Sequence, residues 1–144
     1  EILDWAAENR KDISAIVTGT GTGGTLMGCH ARLKPNFPKL KMVAVEPEES
    51  AVMSGGVPGV HGIQGIGDGS KFLVNMECVD YISVISTEDA KQRARDLAKT
   101  HGLFVGISAG ANILAAERFI EETKPEGSVV TFLCDRGDRY FSCL

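Results

Sequence analysis

A loop rich in glycine and threonine, Gly19 to Thr25, follows a run of apolar residues that ends at Val17. Glycines let backbone N–H groups converge on one point, and a helix that begins where the loop ends adds positive potential. The sequence therefore predicts an anion site. Threonine hydroxyls beside the amides favour a terminal phosphate dianion, which has three oxygens to satisfy. A glycine-rich turn that binds no ligand is the alternative interpretation.

The same loop also matches the dinucleotide-binding pattern, with Gly19, Gly21 and Gly24 at its three glycine positions. Glu46 follows at the end of the next predicted strand, where dinucleotide-binding proteins keep the acid that binds the ribose. An NAD-binding Rossmann dehydrogenase domain is therefore an alternative. The threonines argue against it, because a pyrophosphate is held by bare backbone.

A second motif, Gly106-Ile-Ser-Ala-Gly110, matches the Gly-x-Ser-x-Gly pattern of hydrolase nucleophiles. Such hydrolases need an acid and then a histidine after the serine, but His30, His61 and His101 all precede Ser108. The hydrolase interpretation is therefore rejected. What remains is a serine hydroxyl at the carboxyl end of a predicted strand, where open α/β sheets bind ligands. A helix N-cap serine is the alternative.

A third motif, the charged segment from Cys134 to Tyr140, follows the last predicted strand. By itself it indicates a surface turn with local ion pairs, which contribute little to stability. The three histidines are scattered and the four cysteines lack a Cys-x-x-Cys pair, so no metal site is predicted. The cysteines are interpreted as reduced, mostly buried thiols of a cytoplasmic protein.

Composition limits the class of protein further. The chain has 144 residues, of which 43% are hydrophobic and 24% charged, as expected for one globular domain. Its net charge of −4 without a basic cluster makes a nucleic-acid partner unexpected, and no apolar stretch approaches the roughly 20 residues of a membrane span. The first residues show neither an initiator Met nor a basic leader, so we expect a piece of a longer chain.

Apolar runs and helical periodicities alternate along the chain, which predicts an α/β fold with an open, mostly parallel sheet and helices on both faces. Helices are predicted over 2–9, from the glycine loop to about 33, from a capping box at 86–89 to 102, and after 110. A tight loop is predicted over 106–110, and a loop with at most one short helix over 46–70. The predicted strands cover 13–17, 41–45, 81–85, 103–105 and 129–133.

Five motifs in this order resemble the cysteine synthase (O-acetylserine sulfhydrylase) group of pyridoxal-phosphate enzymes, which are of the tryptophan-synthase-β type. The resemblance covers essentially the whole chain and implies the large domain of fold-type II enzymes. Residues 1–144 would be the C-terminal, cofactor-phosphate-binding part of the catalytic domain. The Schiff-base lysine would lie in a preceding half, so no catalytic residue is assigned here. The motifs are Gly19–Thr25, Val45–Pro47, Ile63–Gly67, Gly106–Gly110 and Asp135–Tyr140.

The resemblance implies roles for eight residues toward pyridoxal 5'-phosphate. Ser108 would hydrogen-bond the pyridine nitrogen, and a neutral hydroxyl there makes the ring a weaker electron sink, which favours β-replacement over transamination. Gly65 and Ile66 match a loop near the cofactor and substrate. The five residues that would hold the phosphate are Gly21, Thr22, Gly23, Gly24 and Thr25.

The implied reaction of the full-length enzyme converts O-acetylserine and sulfide to cysteine and acetate, and this segment alone is expected to be inactive. Ala109 stands where many relatives have a second serine, and Cys134-Asp135-Arg136 where others have Pro-Ser, which leaves the substrate open. A cystathionine β-synthase and an O-phosphoserine-using relative are the alternatives. The resemblance further implies an amino-acid substrate, a cytoplasmic homodimer and serine acetyltransferase as a further partner.

Overall fold

The chain forms four strands and four α-helices, and the computed structural model describes all 144 residues. The strands are β1 (Ile13–Gly19), β2 (Lys41–Pro47), β3 (Tyr81–Ile85) and β4 (Ser128–Thr131). The helices are α1 (Ile2–Asn9), α2 (Gly24–Leu33), α3 (Thr87–His101) and α4 (Ile107–Thr123). Their order along the chain is α1-β1-α2-β2-β3-α3-α4-β4, so the alternation that the sequence predicts fails between β2 and β3 and between α3 and α4.

The strands form one fully parallel sheet in the order β3-β2-β1-β4. Central strand β1 is an apolar run because both of its faces are covered, as is usual in parallel sheets. Its Ile16 packs in a core with residues of α1 and α2, while its Val17 packs in a second core with residues of α3 and α4. Helices therefore cover both faces, which confirms the predicted fold class.

The strand order reverses between β1 and β4. The chain leaves β1 to form β2 and β3 on one side, and then returns to add β4 on the other side of β1. Parallel sheets of this kind bind ligands in the crevice outside the carboxyl ends of the strands at such a reversal. The topology thus indicates a ligand site among the residues that follow β1 and β4.

Helix α3 begins and ends where the sequence predicts. The Ser86 hydroxyl accepts a hydrogen bond of 3.1 Å from the Asp89 N–H, which satisfies one of the free amides of the first turn. Gly102 ends the helix with a φ of 68°, a left-handed conformation that glycine adopts without strain.

Two predictions around the second glycine motif were wrong. Residues 103–105 form no strand, and only Val105 makes an isolated antiparallel bridge, to Arg136. Residues 107–110 are not a loop, because α4 already begins at Ile107. Gly110 serves close helix packing rather than a turn: a Cβ there would lie 2.9 Å from the Ala94 backbone nitrogen of α3.

Smaller differences concern the last strand and the cysteines. Strand β4 ends at Thr131, two residues before the predicted end at 133. Strand β2 extends to Pro47, so the loop predicted over 46–70 begins two residues later than predicted. It contains one short 3-10 helix, Glu48–Ser50. All four cysteines are free, but none is fully buried and Cys134 is exposed, so the expectation of mostly buried thiols was wrong. None of the helices combines the length and the apolar character needed to cross a bilayer.

Candidate functional site

A cavity of about 440 Å³ lies at the carboxyl ends of β1 and β4. Its walls are the glycine loop, the 64–66 segment, the first turns of α4 and the residues that follow β4. The structure brings together in this cavity all eight residues that the sequence analysis assigned to a cofactor: Gly21, Thr22, Gly23, Gly24, Thr25, Gly65, Ile66 and Ser108.

The glycine loop presents the N-terminus of α2 to the cavity. Gly23 is the N-cap, with a φ of 87°, and no side chain caps this helix. The first amides of a helix have no acceptor within it, and the helix dipole places positive potential there. No acidic residue occupies the first turn of α2. The loop can therefore hold an anion.

A second segment of the chain fixes the glycine loop from behind. The Leu73 N–H donates to the Thr22 carbonyl oxygen at 3.0 Å, and the Gly67 N–H donates to the Thr20 carbonyl oxygen at 2.9 Å. A Cβ on Gly21 would lie 2.9 Å from the Gly65 carbonyl oxygen, so a larger residue there would push the two segments apart. These contacts hold the glycine loop against the segment from Gly65 to Leu73.

The threonine side chains of the loop remain available. Thr22 and Thr25 are exposed, and neither hydroxyl is hydrogen-bonded within the chain. No lysine, arginine or histidine lines the cavity, so an anion there would be met by backbone amides, hydroxyls and a helix dipole. This donor set fits a phosphate group.

Ser108 lies in the first turn of α4 and is 5% exposed. The N-cap of this helix is Gly106, which makes the N-cap interpretation of Ser108 wrong. The Cys134 thiol is near it: partial desolvation and the Asp135 charge raise the pKa of this thiol, while the Ser108 hydroxyl acts in the opposite direction.

The histidines do not make Ser108 a hydrolytic nucleophile, because none of them lines the cavity. His61 lies behind the 64–66 segment, where its Nε2 is 3.0 Å from the Gly67 carbonyl oxygen and its Nδ1 accepts from the Ile63 N–H. Both ring nitrogens are thus used to hold the loop.

Glu46 is equally unavailable as a ribose-binding acid, which removes the main support for a dinucleotide site. Its side chain is 1% exposed, and its carboxylate accepts hydrogen bonds from Met53 N–H at 2.7 Å and Ser54 N–H at 2.9 Å. A carboxylate satisfied in this way inside the protein cannot also accept from a ligand hydroxyl in the crevice.

Three residues of the third motif, Cys134, Asp135 and Tyr140, line the cavity, and the sequence analysis assigned none of them to a site. Tyr140 and Asp135 are hydrogen-bonded to each other and line the cavity, so the surface-turn interpretation was wrong for them. It describes only the exposed ion pair of Arg136 and Asp138, at 3.4 Å. The i, i+5 spacing of the Asp135–Tyr140 pair has no periodic signature in a sequence, and this is why pattern analysis did not find it.

Asn112 is a further lining residue without a prediction. It lies one helical turn beyond Ser108 on α4 and is 1% exposed, with hydrogen bonds to the backbone of β1 and of the segment after β4. A polar residue four positions after Ser108 was the available indication, because such a residue lies on the same face of a helix.

Comparison with known proteins gives a consistent result. A family model described as "Pyridoxal-phosphate dependent enzyme" matches residues 1–135. The chain is 43% identical over 135 residues to a cysteine synthase of Staphylococcus aureus, a match that covers 92% of this chain and 43% of that protein.

Solved structures are similar over nearly the whole chain. The crystal structure of cysteine synthase from Entamoeba histolytica superposes with a TM-score of 0.89 at 38% identity, covering 97% of this chain and 42% of that one. The O-acetylserine dependent cystathionine β-synthase from Helicobacter pylori superposes with a TM-score of 0.81 at 37% identity, covering 95% and 45%. The chain thus spans less than half the length of the relatives it matches.

Proposed function

Because this chain belongs to the family of pyridoxal-phosphate dependent enzymes, we propose that the whole protein converts O-acetylserine and sulfide to cysteine and acetate. The relative from Staphylococcus aureus and the structure from Entamoeba histolytica, both named cysteine synthase, support this reaction. The observation that carries it is the meeting of the glycine loop and Ser108 in one cavity.

The residues present fit pyridoxal phosphate. The cavity volume of about 440 Å³ lies in the range of small-ligand pockets. The amides at the N-terminus of α2 and the hydroxyls of Thr22 and Thr25 would hold the phosphate, and the Ser108 hydroxyl would hydrogen-bond the ring nitrogen. When bound, the cofactor supplies an electron sink for bond cleavage at an amino-acid substrate.

The residue proposed to face the ring nitrogen is uncharged. Ser108 offers a neutral hydroxyl, which does not hold a proton on that nitrogen as a carboxylate would. Asp135 is the only carboxylate in the cavity wall, but Tyr140 donates to its Oδ2 and its Oδ1 is buried against Gly106. These residues would therefore restrain the electron sink, which favours replacement at the β-carbon over transamination.

Residues 1–144 are proposed to form the C-terminal, phosphate-binding part of the catalytic domain, with the Schiff-base lysine in another part of the whole protein. The absence of any lysine among the cavity-lining residues supports this division. A homodimer, a complex with serine acetyltransferase and a cytoplasmic location are proposed from the resemblance. The four free cysteines are consistent with a reducing compartment.

The test is an assay of the whole protein with O-acetylserine and sulfide, in which cysteine and acetate are quantified. We expect both products in equal amounts, and no cysteine from the 144-residue chain alone with pyridoxal phosphate supplied. Robust cysteine formation by that chain alone would contradict the proposed division of the site.

A second candidate is cystathionine formation, favoured by the similarity to the Helicobacter pylori enzyme. Replacing sulfide by homocysteine in the same assay distinguishes the two. A strong preference for homocysteine would replace the cysteine synthase assignment, and a preference for O-phosphoserine over O-acetylserine would change the leaving group.

A further inference from the structure

Strands β1 and β4 separate where the cavity begins. Their last paired residues are Val17 and Thr131, and beyond this pair Gly19 of β1 and Phe132 after β4 are no longer opposite one another in the ladder. The Gly19 N–H and the Phe132 carbonyl oxygen would be left without partners between the two strands.

The side chain of Asn112 occupies this gap. Its Oδ1 accepts a hydrogen bond of 2.7 Å from the Gly19 N–H, and its Nδ2 donates one of 2.8 Å to the Phe132 carbonyl oxygen. The side-chain amide thus replaces the missing ladder between the strands. Asn112 is 1% exposed, and the loss of either bond would leave a partly buried backbone group without a protein partner.

Three walls of the cavity meet at this one residue. Gly19 is the first residue of the glycine loop, and Phe132 leads into the segment that contains Asp135. Ser108 lies four residues before Asn112 on α4, so both side chains are on the same face of the helix. Asn112 therefore connects the helix that carries Ser108 to the glycine loop and to the segment after β4.

We infer that Asn112 is a positioning residue, which sets the separation between the glycine loop and Ser108 so that one ligand can reach both. This inference rests on the proposed function, because a phosphorylated pyridine is the class of ligand with a group for each end. The glycine loop itself depends less on Asn112, since Leu73 and Gly67 hold it from the other side.

The test compares a ligand that spans both ends with one that uses the loop alone. Pyridoxine 5'-phosphate is the spanning probe, because it lacks the aldehyde and cannot bond covalently to lysine. Inorganic phosphate is the loop probe. The dissociation constants of both ligands are measured by titration calorimetry on the whole protein and on its Asn112→Ala variant.

We expect Asn112→Ala to bind pyridoxine 5'-phosphate about tenfold more weakly, with inorganic phosphate changed by less than about twofold. Asn112→Asp keeps the acceptor for Gly19 N–H but places an oxygen against the Phe132 carbonyl, so the same selective loss is expected; it carries the test if the alanine variant does not fold. Asn9→Ala, which removes an exposed asparagine of α1, is the control and should change neither constant.

Equal losses for the two ligands, or no loss, would overturn the positioning role. A ligand-free measurement separates this outcome from a failure of the proposed function: hydrogen exchange at Gly19 N–H should be faster in Asn112→Ala, and unchanged exchange would overturn the inference. If the unmodified protein binds pyridoxine 5'-phosphate no more tightly than phosphate, the proposed function fails instead.

Discussion

Tyr140 donates a hydrogen bond of 2.5 Å to Asp135 Oδ2 across one wall of the cavity. The same Asp135 accepts, through its backbone carbonyl, a bond of 3.0 Å from the Gly106 N–H at the start of α4. Tyr140 therefore holds the side chain of the residue whose backbone links the segment after β4 to the helix that carries Ser108.

Tyr140→Phe tests this link through its pH dependence. Burial, and then the hydrogen bond and charge of Asp135, raise the pKa of Tyr140 from 10.0 to about 12. Because the pKa is higher in the folded than in the unfolded state, the phenol stabilises the fold fully below about pH 10, and this contribution is lost as the pH rises toward about 12. We expect the difference in unfolding free energy between the protein and Tyr140→Phe, from urea denaturation, to decline over that interval. A difference that stays constant there would contradict the link.

Thr22→Ala and Thr25→Ala test the phosphate site. Each should remove a hydrogen bond to a charged phosphate, weakening pyridoxal phosphate binding by about 1.5–3 kcal/mol in equilibrium dialysis. Thr100→Ala is the control, because its hydroxyl donates to the Asp96 carbonyl oxygen at an exposed position of α3, outside the cavity. An unchanged affinity in the double variant would mean that the loop binds something else.

Gly110→Ala tests the close packing of α3 and α4. Its Cβ would meet the Ala90 carbonyl oxygen and lie 2.9 Å from Ala94 N, so we expect destabilisation of about 1–3 kcal/mol in chemical denaturation. Gly28→Ala in α2 is the matched control: no atom lies within 4 Å of its Cβ, and the substitution should stabilise by about 0.5–1 kcal/mol. Equal effects of the two substitutions would refute this account of Gly110.

Much of the fold could be predicted because its determinants are local. The apolar run of β1 indicates burial on both faces. Ser86 begins α3 because its hydroxyl accepts a hydrogen bond from the first turn, and Gly102 ends the helix because glycine adopts a left-handed conformation without strain. The glycine loop could be predicted for the same reason, since the strand, the loop and the helix that form it are consecutive in the chain.

The rest of the site depends on contacts between distant residues. Asn112 acts through Gly19, which is 93 residues away, and no local pattern indicates this. Gly110 was predicted in a turn because sequence alone does not distinguish a glycine that lets two helices approach from a glycine that forms a turn. Tyr140 was assigned to the surface because the charges around it are exposed, although the ring turns inward to Asp135.

Ser108→Ala and Ser108→Asp test the ring end of the cavity. We expect Ser108→Ala to weaken pyridoxine 5'-phosphate binding and leave inorganic phosphate binding unchanged, because only the ring nitrogen loses its partner. In Ser108→Asp the carboxylate should hold a proton on that nitrogen. The ¹⁵N chemical shift of ring-labelled pyridoxine 5'-phosphate then moves to its protonated value. A ¹⁵N chemical shift equal to that in the unmodified protein, with only the melting temperature changed, would mean that Ser108 has only a structural role.

The central claim is that the glycine loop and Ser108 bind one phosphorylated pyridine in the same cavity. It is tested most directly by following the backbone amide signals of the ¹⁵N-labelled protein during a titration with pyridoxine 5'-phosphate. The account predicts that the amides of Gly21, Gly23, Gly24 and Ser108 shift together and fit a single dissociation constant. Shifts confined to other parts of the chain, or loop and Ser108 signals that respond with different constants, would contradict it.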